Sequence, residues 1–95
     1  MKLVVTGISI NFIRPSGNLV AFASITVNNA LVLSGIGIHS KPGGYIDLGF
    51  PAKTFPNGEK LHYAHPINDE TRILLRDAVA KKYFDLMEAL NDSKP

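Results

Sequence analysis

Between residues 3 and 13 the even positions Val4, Ile8, Ile10 and Phe12 are apolar, while Ser9 and Asn11 interrupt the odd ones. A period of two belongs to a strand with one buried face, so this stretch predicts a first strand. Pro15, Ser16 and Gly17 mark a turn over residues 14–18. After it, Leu19, Ala21, Ala23, Ile25 and Val27 fall on one side of a second strand. Asn28 and Asn29 tolerate positive φ and suit a two-residue hairpin loop into a third strand over residues 30–39. Gly35 and Gly37 lie on the same side as Leu31 and Leu33, which predicts a bend or a close backbone approach there. Lys41, Pro42, Gly43 and Gly44 then turn the chain into a fourth strand over residues 45–50.

The pattern changes after Pro51. Pro56 presets φ at the first corner of a tight reversal, and Asn57 and Gly58 accept the positive φ that follows, so two short strands are expected on either side. Pro66 excludes helix at His65, and Asn68 offers a side-chain oxygen to the free amides of a helix that begins at Asp69 and runs to about Asn91. On a helical wheel Leu75, Val79, Tyr83, Leu86 and Leu90 form one stripe, which Ile73, Ala80, Phe84 and Met87 widen to about half the circumference. One sheet does not need so wide an arc. A second subunit on the far side accounts for it, as do apolar residues on both faces of several strands, and a homodimer is predicted. Asp69 and Glu70 complement the helix dipole, and Lys94 and Pro95 are expected to fray.

Pro51, Lys53, Pro56, Gly58 and Glu59, followed by Ala64, His65, Pro66, Ile67, Asn68 and Arg72, resemble the stage V sporulation protein G (SpoVG) family. Ala23, Ser24, Ile25 and Thr26 upstream, with Ala78, Val79 and Tyr83 in the helix, extend the likeness over nearly the whole chain. The resemblance implies a nucleic-acid-binding regulator of septation, sporulation and gene expression. It places the DNA- or RNA-contacting surface on the loop of Lys53 and the first turns of the helix, with Arg72 at a matching position. Thr54 stands where the family usually carries a second basic residue, so the resemblance implies a weaker contact at that loop here.

Composition narrows the class. A chain of 95 residues, 45% hydrophobic with mean hydropathy +0.09, is a single globular domain whose modest core a second copy would help complete. No apolar run is long enough to cross a bilayer, and Thr6, Gly7, Ser9 and Asn11 break the apolar start, so no secretory signal or membrane partner is expected and the location is read as cytoplasmic. The absence of cysteine excludes disulfides and thiolate metal sites. Charge is uneven. Residues 1–66 hold Lys2, Arg14, Lys41, Lys53 and Lys60 against Asp47 and Glu59, a balance of +3, whereas residues 67–95 hold five cations against six anions, a balance of −1. A positive face built by strands and loops would meet phosphates; the same lysines could equally serve solubility.

Candidate chemistry is sparse. Lys53 and Lys60 flank the turn at Asn57 and Gly58 beside Phe55, a basic tip with one stacking surface for nucleic acid, or simply a solubilised edge. Arg72 and Arg76, four apart, fall within the apolar arc and call for a reason. One reason is an ion pair with Asp69, Asp47 or Glu59; the other is contact with phosphate or base. Anion binding by the helix N-terminus itself is discounted because Asp69 and Glu70 occupy that field. His62 and His65, on opposite faces of a strand, cannot converge without a kink, so no metal is expected, and His65 is read as holding the strand-to-helix corner. No nucleophile elbow, paired acids or phosphate-binding loop is present, so neither a cofactor nor enzymatic activity is expected.

These readings combine into an α+β domain over residues 1–95, an antiparallel sheet of five or six strands within about residues 2–65 followed by one long C-terminal α-helix over about 69–91. The expected function is a homodimeric nucleic-acid-binding regulator with Lys53, Lys60, Arg72 and Arg76 as contacts. The alternative is a protein-interaction module that recruits a division or regulatory partner without touching nucleic acid.

Overall fold

Two long hairpins build the core. In the computed structural model, which describes residues 2–92, β1 (Val5–Ser16), β2 (Leu19–Val27), β3 (Leu31–Lys41) and β4 (Tyr45–Gly49) form one antiparallel sheet in sequence order. β5 (Ala52–Thr54) and β6 (Lys60–His62) pair separately, and α1 (Asp69–Asp92) follows. The fold is thus α+β, and its six strands divide into a four-stranded and a two-stranded sheet. Pro51 sits at the division, where it removes a ladder donor between β4 and β5. The expected fraying of Lys94 and Pro95 lies outside the described residues.

The first two turns of the meander are short. β1 runs through Pro15, tolerated because β1 is an edge strand, and only Gly17 and Asn18 remain as the turn. At the next reversal Asn28 and Asn29 have φ of 52° and 49°, and Ala30 N donates to Val27 O at 2.9 Å. Positive φ at both corners is what a hairpin of right-handed strands requires. β3 then begins at Leu31, one residue later than the polar pattern suggests.

Two irregularities decide which side chains face inward. Ile25 pairs with Leu33 and Ala23 with Ile36, so Ser24 alone stands opposite Ser34 and Gly35, and Gly35 has a φ of +71°. This is a β-bulge with glycine in the left-handed region. Past it the inward parity of β3 changes from odd to even, and Ile36 and Ile38 become fully buried. Thr6 is the corresponding extra residue in β1, between Val5↔Val27 and Gly7↔Thr26. Consequently Val5, and not Val4 as the alternation suggests, packs on the core, and Val4 is exposed. The close approach expected at Gly37 is also present. A Cβ there would lie 3.0 Å from Leu19 Cδ1, and one on its cross-strand partner Gly49 would lie 2.9 Å from His39 Nε2. The His39 ring therefore lies across two paired glycines.

The helix covers the inner face. Leu75, Val79 and Tyr83 are buried against Ala21, Ala23, Ile25, Ile36, Ile38 and Ile46, and Tyr83 meets Phe12 with ring centroids 5.7 Å apart. α1 touches β1 and β4, the two edges of the sheet, so the strands curl around it. The helix start follows the sequence: Asn68 Oδ1 accepts Thr71 N at 2.8 Å and Asn68 O accepts Arg72 N at 3.1 Å. Asn68→Ala is expected to remove about 1 kcal/mol of stability, measured as a lower denaturant midpoint at unchanged slope.

Only part of the predicted apolar arc is covered. Ala80, Leu86 and Met87 are half-buried, whereas Ile73, Phe84 and Leu90, together with Leu74, remain exposed. The β5–β6 hairpin carries Leu61 and Tyr63 at 57% and 68% exposure and contributes no buried residue. The radius of gyration, 14.4 Å, exceeds the roughly 12 Å of a compact domain of this length. Among the described residues no helix is long and apolar enough to cross a membrane.

Candidate functional site

The basic hairpin is shaped by its turn. Pro56 takes the first corner, Gly58 N donates to Phe55 O at 2.9 Å, and Phe55 N donates to Glu59 O at 2.8 Å. Gly58 alone adopts positive φ, at 89°. Asn57 acts instead through its side chain, whose Oδ1 accepts Glu59 N at 3.0 Å.

The register separates the two lysines. Lys53 pairs with Leu61, and Thr54 pairs with Lys60. Residues directly opposite share a face, so Lys53 and Leu61 project from one side of the hairpin and Lys60 from the other. Lys53 Nζ lies 5.4 Å from the centroid of Phe55, a cation–π contact at the surface. Among the described residues neither Lys53 nor Lys60 is in an ion pair. Thr54 lies on the Lys60 face, so a second basic residue there would have doubled the charge of that side.

Arg72 and Arg76 stand on the first two turns of α1. Arg72 Nη2 meets Asp69 Oδ1 at 3.3 Å, with side chains 49% and 87% exposed, and Arg76 Nε lies 3.5 Å from Asp77 Oδ1. Both guanidiniums therefore have carboxylate partners, as the ion-pair reading expects. The partners are neighbours on the helix and not Asp47 or Glu59. Nor are the arginines enclosed in the apolar arc, because they occupy its solvated margin. Pairs this exposed contribute about 0–1 kcal/mol, little enough for a phosphate to displace the carboxylate.

A kink joins hairpin to helix. Tyr63 N still donates to Pro51 O at 3.0 Å, after which the chain bends at residues 63–64. The bend supplies the condition that strand geometry alone withholds: His62 and His65 converge, with ring centroids 5.0 Å apart. His65 does hold the corner, since its Nδ1 lies 3.0 Å from Pro66 O. Beyond it, a cleft of about 570 Å³ opens between the start of the chain and the helix, lined by Lys2, Leu3, Glu70, Ile73, Leu74 and Asp77. Leu74, outside the predicted arc, was legible only as one apolar helix residue among many. No line of the sequence pointed to this cleft, because its wall at Leu3 comes from the opposite end of the chain.

Comparison with known proteins gives one consistent result. A model of the SpoVG family matches residues 3–85. The chain is 35% identical over 85 residues to the "Putative septation protein SpoVG" of Caldicellulosiruptor bescii, covering 90% of this chain and 96% of that one. It is 33% identical over 88 residues to the proteins of the same name from Staphylococcus aureus and Staphylococcus epidermidis, covering 93% of this chain and 87% and 85% of theirs.

Proposed function

The chain belongs to the SpoVG family, and from that premise we propose that it is a homodimeric regulator that binds DNA or RNA through Lys53, Lys60, Arg72 and Arg76. The observation that carries this reading is the tip at Lys53, an ammonium lying over the exposed ring of Phe55 and in no ion pair among the described residues. A phosphate and a base edge-on to it would find a charge and a stacking surface side by side. The helix arginines, held by weak surface pairs, supply further cations.

Dimerisation is supported by what one chain leaves bare. A two-stranded hairpin is marginal alone in water, yet β5–β6 has no core of its own and exposes Leu61 and Tyr63. Covering these and the far side of α1 with a second copy would also set two basic tips on one particle. The septation role in the relatives' name is carried to this chain as the process such a regulator serves.

Fluorescence anisotropy with labelled single- and double-stranded oligonucleotides tests the surface. Lys53→Ala and Arg72→Ala are each expected to weaken binding and to lower the salt slope by about one for every protomer in contact. Unchanged affinity and slope in both would remove the assignment. A second reading has its own observation: Ile67 is 87% exposed, and Ile73 and Leu74 line the cleft beside Leu3. If no oligonucleotide binds at low salt, this apolar surface, docking a regulatory protein partner, takes precedence.

A further inference from the structure

We propose that His62 and His65 form a two-imidazole site for a late first-row divalent cation, with Zn²⁺ as the reference ion and water completing the coordination. Three observations carry it. The first is spacing. Two imidazoles bound to one tetrahedral ion, each Zn–N bond about 2.0–2.1 Å, place their ring centroids roughly 5 Å apart. The rings of His62 and His65 are 5.0 Å apart at an interplanar angle of 57°, so they are not stacked face to face and their separation is that of two ligands of one ion.

The second is the state of the His65 ring. Nδ1 lies 3.0 Å from Pro66 O, and a carbonyl oxygen can only accept, so Nδ1 carries the hydrogen. In the neutral ring Nε2 then keeps its lone pair. A histidine that donates one ring N–H to a backbone carbonyl while offering the other nitrogen has the arrangement that orients metal-bound imidazoles.

The third is the backbone under the pair. His62 is the last residue of β6, paired with Ala52, and the following amide, Tyr63 N, is tied to Pro51 O. His65 is restricted by the proline after it. Both residues are exposed, so an ion reaches them without displacing the core. Among the described residues no group of three or more potential ligands converges, so they supply two imidazoles and no carboxylate. Imidazole-only donors favour Cu²⁺ and Zn²⁺ over Mg²⁺ and Ca²⁺, which require oxygen. A bound ion would cross-link the end of the hairpin to the residue before the helix corner.

Calorimetric titration of the tag-free full chain with ZnCl₂ and CuCl₂, alongside NMR of the imidazole ring nitrogens, tests the site. One ion per chain is expected, with Cu²⁺ tighter than Zn²⁺. The signals of His62 and His65 should move together under Zn²⁺ while those of His39 stay in place. His62→Gln should weaken Zn²⁺ by more than the roughly 10–100-fold that loss of a mere orienting partner costs. Because His62 makes only a ring contact, that variant should keep its circular dichroism spectrum; His39→Gln should bind as the unaltered chain does. Binding unchanged in His62→Gln, or ring signals unmoved at millimolar Zn²⁺, would overturn the site.

Discussion

Ile36→Ala is expected to lower stability by about 2–5 kcal/mol, the range for removing a large aliphatic side chain from a packed core. Ile36 is fully buried, faces Ala23 across the β2–β3 ladder, and lies immediately past the bulge at Gly35. Its partner on β2 is alanine, too small a side chain to fill the space left by three lost carbons. Against a total of about 5–15 kcal/mol for a domain, the loss is large. Thermal unfolding should fall by roughly 10–40 °C, since each kcal/mol moves a domain of this size by about 4–8 °C. The melt must be run at fixed chain concentration, because the proposed dimerisation would add to apparent stability. Val32→Ala, one bulge earlier and exposed, serves as the control and should stay within about 0.5 kcal/mol. An Ile36→Ala protein that melts with the unaltered chain would show that the inward parity of β3 past Gly35 is wrongly assigned.

The second large effect concerns salt. If two copies each engage Lys53, Lys60, Arg72 and Arg76, eight cations meet phosphates, and binding releases a counterion for nearly every one. Affinity for duplex DNA should then fall about 10³–10⁵-fold between 50 and 200 mM salt. Anisotropy titrations across that range read the slope directly. A slope half as steep would indicate one protomer in contact; a slope about three quarters as steep would indicate one face of each hairpin, which the opposite placement of Lys53 and Lys60 allows Lys60→Ala to distinguish. A flat dependence would remove phosphate neutralisation as the source of binding and leave the apolar residues Leu3, Ile73 and Leu74 of the cleft, with Ile67, as the stronger candidate surface.

Much of the architecture was legible locally. The bounds of β2 matched the alternation from Leu19 to Val27, and Asn68 capped the helix where a side-chain oxygen after a proline should. Asn28 and Asn29 took positive φ because their short polar side chains tolerate it. The site was legible only as residue types. Lys53 and Lys60 read as one tip because they flank one turn, but a five-residue loop and the Thr54↔Lys60 register set them on opposite faces. Arg72 and Arg76 read as enclosed because a wheel has no outside until the helix is docked. The histidines read as divergent because alternation holds only while a strand continues, and this one ends at His62.

What the amino-acid order determined by itself is whatever depends on a few neighbouring residues: strand periods, turn chemistry and the capped start of α1. Those features rest on backbone sterics and short-range hydrogen bonds, which act over one or two turns of chain. Tertiary structure decided the rest. The bulges at Thr6 and Gly35 reset which side chains are inside, because one unpaired residue in a ladder inverts every position after it. Docking α1 against β1 and β4 chose which half of its apolar arc is buried, and the bend after β6 chose that two imidazoles meet. The bulges and the helix docking depend on contacts between segments distant along the chain, which no local pattern encodes, whereas the imidazoles meet three residues apart across a bend whose direction strand alternation does not give.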